Sequence, residues 1–242
     1  MTTRTALVTG GTSGIGLHIA RQLAADDYRV AICARSEPGL ASAAASIGPG
    51  TVTLAADLFD PHAAAGVVTR ALAALGRLDV LINNAGWSPA ATIPQTDPDT
   101  AIRVFALNAV TPTVMIARAW PAFERQHASG GKGGVVVNVS SIASVDPFPI
   151  LYAYAAAKAA VNNLAISVAA QGAPIGVRGF SVAPGAVETP LLRTLVDTAN
   201  LPTDQTLRPE DVATIVRSCV RGERDDANGT TILVPSGPRR ST

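Results

Sequence analysis

Charge is scarce in this 242-residue chain, and lysine is nearly missing from it. Asp, Glu, Lys and Arg make up 15% of the residues, and seventeen arginines face only two lysines, Lys132 and Lys158. The arginines are scattered and the formal net charge is +1, so neither nucleic acid nor an anionic membrane is expected as a partner. Cysteine is limited to Cys33 and Cys219, with no C-x-x-C, which excludes a disulfide framework and implies two small buried thiols in a reducing compartment. The three histidines, His18, His62 and His127, lie on predicted helices without metal-ligand spacing, so no metal site is expected. No apolar run reaches the roughly 18–20 residues that span a bilayer. The segment "MTTRTALVTGG" lacks a basic region followed by an apolar signal core, so the expected location is cytoplasmic.

What the chain has is apolar residues, 48% of the total, in short runs suited to a large core. Strands are predicted at 5–10, 28–34, 51–57, 79–86, 134–141, 175–185 and 229–234, rich in Val, Ile and Thr and closed by Gly, Asn or Asp. Helices are predicted between them at 15–26, 37–47, 61–75, 98–128, 151–171 and 209–221. Ile15, Ile19 and Leu23 make one apolar stripe on the first. Asp60-Pro61 and Asp97-Pro98 read as helix starts, an N-cap acid followed by proline. Alternating strands and helices predict one α/β domain over 1–242: a doubly wound Rossmann fold whose seven-stranded, mostly parallel sheet carries helices on both faces.

Two stretches carry chemistry. "LVTGGTSGIGLHIA" sets Gly10, Gly14 and Gly16 in a turn between a strand and a helix. Such a turn lets backbone approach a pyrophosphate, and the helix N-terminus offers free N–H groups and partial positive charge. "LYAYAAAK" holds two of the three tyrosines and one lysine. Residues four apart share a helix face, so Tyr154 meets Lys158; Tyr152 projects about 200° away and is read as packing or pocket wall. A lysine ammonium about 4–5 Å from a phenol oxygen lowers its pKa by roughly 2.5–3 units at an effective dielectric near 20. That brings a tyrosine toward general acid–base work at neutral pH.

Six segments in order resemble the short-chain dehydrogenases/reductases, and among them the 3-oxoacyl-carrier-protein-reductase-like members: T-G-x-x-x-G-x-G at 9–16, "DVLINNAG", "LNAV", "VNVSS", "YAAAK" and "SVAPGAVETP". The resemblance spans the chain. It implies an enzyme that interconverts a carbonyl and a secondary alcohol with a nicotinamide coenzyme. Tyr154 is then the acid/base, and Lys158 lowers its pKa and binds the nicotinamide ribose. Of the adjacent serines only one can point inward from a strand. The resemblance selects Ser141 to orient the substrate oxygen and leaves Ser140 structural. It makes Asn108 the residue that holds a helix open around a water leading to the lysine.

The same resemblance assigns coenzyme contacts. Thr9, Gly10, Thr12, Ser13, Gly14, Ile15 and Gly16 form the phosphate turn. Asp57 and Leu58 border the adenine, although Asp57 reads equally as a turn cap. Asn84, Ala85 and Gly86 line the adenosine side. Pro184, Gly185, Val187 and Thr189 border the nicotinamide, with Thr189 on its carboxamide. "VAICARSE" places Ala34 where many NAD-dependent relatives have Asp, followed by Arg35, which can pair with a 2′-phosphate, and Ser36, which can donate to it. NADP(H) is therefore the expected coenzyme. NAD(H) is the second reading, kept open by Glu37, which is placed in the following loop or helix.

The predicted pocket borders, "SIASVDPFPIL", "WSPA" and the segment after "PGAVETP", are largely apolar, with Pro147, Phe148, Ile150 and Leu151. They suggest a neutral, fairly apolar ketone or alcohol, with Asp146 and Arg193 as candidate polar contacts and Trp87 as wall or packing. The lid between Pro190 and Pro209 looks short and the site accessible. The ending "NGTTILVPSGPRRST" lacks the two adjacent glycines common in the family. Two alternatives stand beside this reading. One is a catalytically silent nucleotide-sensing regulator, which would ordinarily lack the tyrosine or lysine. The other is a sugar-nucleotide epimerase or dehydratase, which would ordinarily carry T-G-x-x-G-x-x-G. The helices at 98–128 and 151–171 are candidates to pack across a two-fold axis, giving a homo-oligomer, a tetramer or dimer.

Overall fold

The computed structural model describes residues 3–237. Seven strands form one sheet: β1 (Thr5–Thr9), β2 (Arg29–Ala34), β3 (Val52–Ala55), β4 (Val80–Asn83), β5 (Gly134–Val139), β6 (Val177–Pro184) and β7 (Thr231–Val234). Their order is β3-β2-β1-β4-β5-β6-β7, and every pairing is parallel. Parallel strands covered on both faces read as continuous apolar runs. β1, β4 and β5 are buried at every residue, and "GVVVNV" shows why the middle of the sheet tolerates no alternation.

The crossovers are α1 (Gly14–Ala25), α2 (Glu37–Ile47), α3 (Pro61–Leu75), α4 (Pro98–Phe105), α5 (Thr111–Ala128), α6 (Tyr152–Gly172), α7 (Pro190–Leu195) and α8 (Pro209–Arg221). Asp60 and Asp97 cap α3 and α4 as their sequence contexts require, accepting from His62 N at 2.8 Å and Thr100 N at 2.6 Å. One core lies under α1 and α8, with Phe180 and Val216 inside it; the other lies under α3 and α5, around Leu81, Met115 and Phe123. Phe123 and Phe180 are both fully buried, each worth roughly 1.5–3 kcal/mol in transfer from water.

Three features depart from the sequence expectation. The helix expected at 98–128 is interrupted by a π-helical turn, Ala106–Val110. Pro98–Ala128 is also long and apolar enough, by length and composition alone, to cross a membrane. In the fold, Met115, Ala119 and Phe123 bury its apolar face against the sheet. Finally, the segment after Pro190 opens with a helix, α7, that was not expected.

The chain order reverses at β1, which has β2 on one side and β4 on the other. A crevice opens beyond the carboxyl ends of strands at such a switch point, and the candidate site lies there.

Candidate active site

A cleft of about 930 Å³ runs across the carboxyl edge of the sheet. Its floor at one end is the turn after β1. Gly10 has φ +65° and Gly14 φ +51°, conformations that L side chains rarely adopt. A Cβ on Gly16 would stand 2.3 Å from Gly10 O and 2.4 Å from Asn84 Nδ2, so the helix packs on its own turn only through glycine. Thr12, Ser13, Gly14 and Ile15 line the cleft where α1 presents its first-turn amides. This cradle and donor set fit a pyrophosphate.

Thr9 and Gly16 do not line the cleft; they build it from below. Thr9 is buried, and its hydroxyl accepts from Asn84 N at 2.9 Å and Ala85 N at 3.0 Å. Asn84 Nδ2 donates to Thr9 O at 2.8 Å, tying β4 to the glycine turn.

At the ends of β2 and β3 the cleft is lined by Arg35, Ser36, Asp57, Leu58 and Phe59. The Arg35 guanidinium lies over the Phe59 ring, 5.7 Å from its centroid. Ser36 caps α2, its hydroxyl accepting from Gly39 N at 3.2 Å, and Glu37 begins that helix. Asp57 is both a wall and a turn cap, accepting from Phe59 N at 3.1 Å.

At the other end, Ser141, Tyr154 and Lys158 line the same cleft. The Ser141 hydroxyl stands beside the Tyr154 phenol, close enough to act on its proton affinity. Ser140 also borders the cleft, but its hydroxyl is committed to Lys158 O, to which it donates at 3.1 Å. Lys158 is buried; its Nζ lies 5.5 Å from the Tyr154 ring centroid and donates to Val139 O at 2.7 Å. Asn108 sits behind it, in the π-helical turn and away from the cleft surface. Its Nδ2 donates to Val104 O at 2.9 Å and Trp87 O at 2.7 Å. Gly86 separates the two side chains: a Cβ there would lie 3.0 Å from Asn108 Oδ1 and 3.5 Å from Lys158 Nζ.

The proton affinities correct the sequence expectation. Burial pushes the Tyr154 phenol up to about 12, although the neighbouring Ser141 acts downward. Burial lowers Lys158 to about 8. Burial is the leading cause for both groups, because the dry interior disfavours both charged forms.

Pro184, Gly185, Val187 and Thr189 line the cleft at the end of β6. Thr189 caps α7, accepting from Leu192 N at 3.2 Å, and its methyl backs Gly14. Asp146 and Arg193, expected as polar contacts, do not line the cleft. Asp146 is exposed, and Arg193 is paired with Glu188. Pro147 is also outside it, whereas Phe148, Ile150 and Leu151 are in place. Tyr152 is 48% exposed and lies outside the cleft, neither packed nor a wall of it. Trp87 is a wall, set edge-on to Phe59 at 5.6 Å.

The lid is more extensive than expected: Leu191, Leu192, Leu195, Val196 and Leu201 all line the cleft. Ser236, beyond β7, was also missed; its hydroxyl accepts from Ala186 N at 3.2 Å. So was a relay that fixes the Ser141 loop. Ser181 donates to Asn162 at 2.7 Å, Asn162 donates to Ser144 at 2.8 Å, and Ser144 donates to Ser141 O at 2.6 Å. Asn162 follows Lys158 by four residues, a helix-face spacing that could have revealed it.

A family model described as short chain dehydrogenase matches residues 4–200. A short chain dehydrogenase of Pseudocercospora fijiensis is 34% identical over 78% of this chain, which spans 61% of that longer protein. A putative ketoacyl reductase of granaticin polyketide synthesis from Streptomyces violaceoruber is 36% identical over 96% of this chain and 94% of its own. The structure is similar to a 3-ketoacyl-(acyl-carrier-protein) reductase from Brucella melitensis complexed with NADH (TM-score 0.88, 28% identity, 96% of each chain). It is similar too to a short chain dehydrogenase from Burkholderia cenocepacia in complex with NADP (TM-score 0.86, 30% identity, 97% of each chain). The chain belongs to the short-chain dehydrogenase/reductase family, oxidoreductases acting on alcohols and carbonyls.

Proposed function

We propose that this protein is an NADP(H)-dependent reductase or dehydrogenase interconverting a ketone and a secondary alcohol, with 1–242 acting as one domain. The observation that carries the reading is the convergence of Ser141, Tyr154 and Lys158 in one cleft with the glycine turn. The nicotinamide coenzyme supplies or accepts the hydride when bound. The glycine turn and the N-terminus of α1 hold its pyrophosphate, and Arg35 and Ser36 favour a 2′-phosphate at the adenosine end. Thr189 and the Pro184–Gly185 backbone border its nicotinamide end.

Ser141 donates a hydrogen bond to the substrate oxygen, where negative charge develops during reduction. Tyr154 gives its phenolic proton to that oxygen. Lys158, whose own pKa lies near 8, stands where it can bind ribose and exchange protons near neutral pH. Its ammonium and the positive charge of the oxidised coenzyme act against the burial that raises the phenol. Asn108 keeps the helix open beside Lys158. A homo-oligomer, tetramer or dimer, is part of the proposal. Its support is the apolar surface left exposed by Ile102 and Phe105 on α4 and by Tyr152 and Ile166 on α6.

The test is an NADPH-oxidation screen over carbonyl classes with Tyr154→Phe as control. Turnover by the native protein that falls at least ~10³-fold in the variant is expected. Turnover that survives in Tyr154→Phe sinks the mechanism. NADPH binding with no turnover of any carbonyl or alcohol favours the nucleotide-sensing regulator.

A further inference from the structure

The reacting end of the cleft has a ceiling, and one ion pair fastens it. After Thr189 the chain forms α7 and then folds back through 196–201, placing Leu191, Leu192, Leu195, Val196 and Leu201 on the cleft. The segment 188–207 contains a single basic residue, Arg193, and three acids, Glu188, Asp197 and Asp204. None of the four lines the cleft. Arg193 is turned onto Glu188, donating from Nε at 2.8 Å and also from Nη2. Its Nη1 donates to Leu201 O at 2.9 Å and Val196 O at 3.4 Å, so one guanidinium holds both ends of the returning segment.

Glu188 is itself anchored. Its amide donates to Leu207 O at 2.9 Å, Leu207 N donates to Ala186 O at 2.8 Å, and the buried Thr206 hydroxyl donates to its carboxylate at 3.3 Å. A two-pronged guanidinium–carboxylate pair with further carbonyl partners holds geometry far better than a lone surface pair. The facing wall, Ile142, Phe148, Ile150 and Leu151, brings no charge either. Among the described residues, the charged side chains of the cleft are elsewhere: Arg35 and Asp57 at the adenosine end, and Lys158 beneath Val139 O.

We propose that Glu188 and Arg193 form a latch that fixes this leucine ceiling and withholds its one basic side chain from the cleft, making the site selective for a neutral, apolar ketone or secondary alcohol. The proposal rests on the oxidoreductase reading above. A carboxylate or phosphate on the substrate would be desolvated against these apolar walls with no cationic partner among the described residues of the ceiling, and transition-state binding would fall accordingly. Glu188 and Arg193 are positioning residues, since neither reaches the reacting atoms.

The experiment is kinetic. A panel of cyclic, aryl and acyclic ketones, each as its ethyl ester and as its free carboxylate, is assayed with NADPH and with NADH. Native protein is compared with Glu188→Gln and Arg193→Lys, with melting curves and NADPH affinity measured alongside. The native protein is expected to favour esters by about 100-fold in kcat/KM. Glu188→Gln is expected to raise KM for the ester about tenfold, with kcat changed less. The same variant narrows the ester-to-acid ratio, because its released guanidinium can meet a carboxylate. NADPH affinity stays within about twofold in both variants. Should Glu188→Gln fail to fold, Arg193→Lys carries the same rise in KM. Free acids used as well as their esters by the native protein overturn the proposal. So does an unchanged KM and ratio in a folded variant. No turnover of any ketone with either coenzyme removes the oxidoreductase reading, and this inference with it.

Discussion

Tyr152 and Tyr154 are two residues apart and have opposite fates. A helix turns about 100° per residue, so the pair straddles it. One is left at the surface, while the other stands in the cleft beside Lys158 and Ser141. Arg35 shows the same decisiveness at the ends of β2 and β3. It lies in the cleft over Phe59, which also carries Arg103 at 4.8 Å. The cation–π contact with Phe59 keeps the exposed Arg35 guanidinium at the cleft, where its fork of donors suits a contact with a phosphate. Arg35→Ala is therefore expected to raise the KM for NADPH by roughly 10–100-fold, the value of one charge-assisted bond, and to leave NADH within about twofold. Steady-state kinetics with both coenzymes check this. A clear NADH preference in the native protein would refute the assignment.

At the scale of elements, the interrupted helix is the informative one. Asn108 uses its amide to bond Val104 O, four residues back, while bonding Trp87 O in the next segment. The widened turn is the backbone's response to a side chain that binds into the helical ladder. Asn108→Leu removes these bonds from a buried site and is expected to cost about 2 kcal/mol, a fall in Tm of about 4–8 °C. The same variant loses turnover while NADPH still binds. Thermal melts and coenzyme titration measure both effects, and an unchanged kcat refutes the role.

Much of the fold was legible in the sequence. Runs rich in Val, Ile and Thr marked the strands, Asp-Pro pairs marked two helix starts, and the glycine spacing marked the tight turn between β1 and α1. The remainder depended on distant contacts. Six residues of α7 are too few to show a helical period. The π-helical turn needs Trp87 in place, and Ser236 is meaningful only once β7 lies beside β6. The phenol's proton affinity followed burial, which a neighbouring lysine four residues away does not reveal.

Across the whole molecule, the first and last helices are joined by charge. Arg217 on α8 donates to Asp26, the residue closing α1, with Nε at 2.7 Å from Oδ2. Chiefly through this bond, the Asp26 carboxyl is held below its ordinary 3.8. A depressed folded-state value means that the stabilisation is fully present above pH 3.8 and is lost as pH falls through the folded value. Arg217→Gln should then cost about 1 kcal/mol at pH 7, the upper end for a pair that solvent still screens. The difference should vanish in strong acid. Urea melts of both proteins from pH 7 to 2 test this, and a gap that persists at the lowest pH refutes the assignment. The chain's long-range connectivity also dictates when the cleft can exist. The glycine turn comes from the first sixteen residues, yet Ala186 at the far end of the cleft, after β6, is secured by Ser236. During synthesis the phosphate turn leaves the ribosome long before its opposite wall can be fixed. Coenzyme capture is therefore a late event in folding, a reward for completing the sheet and not a template on which the sheet is assembled.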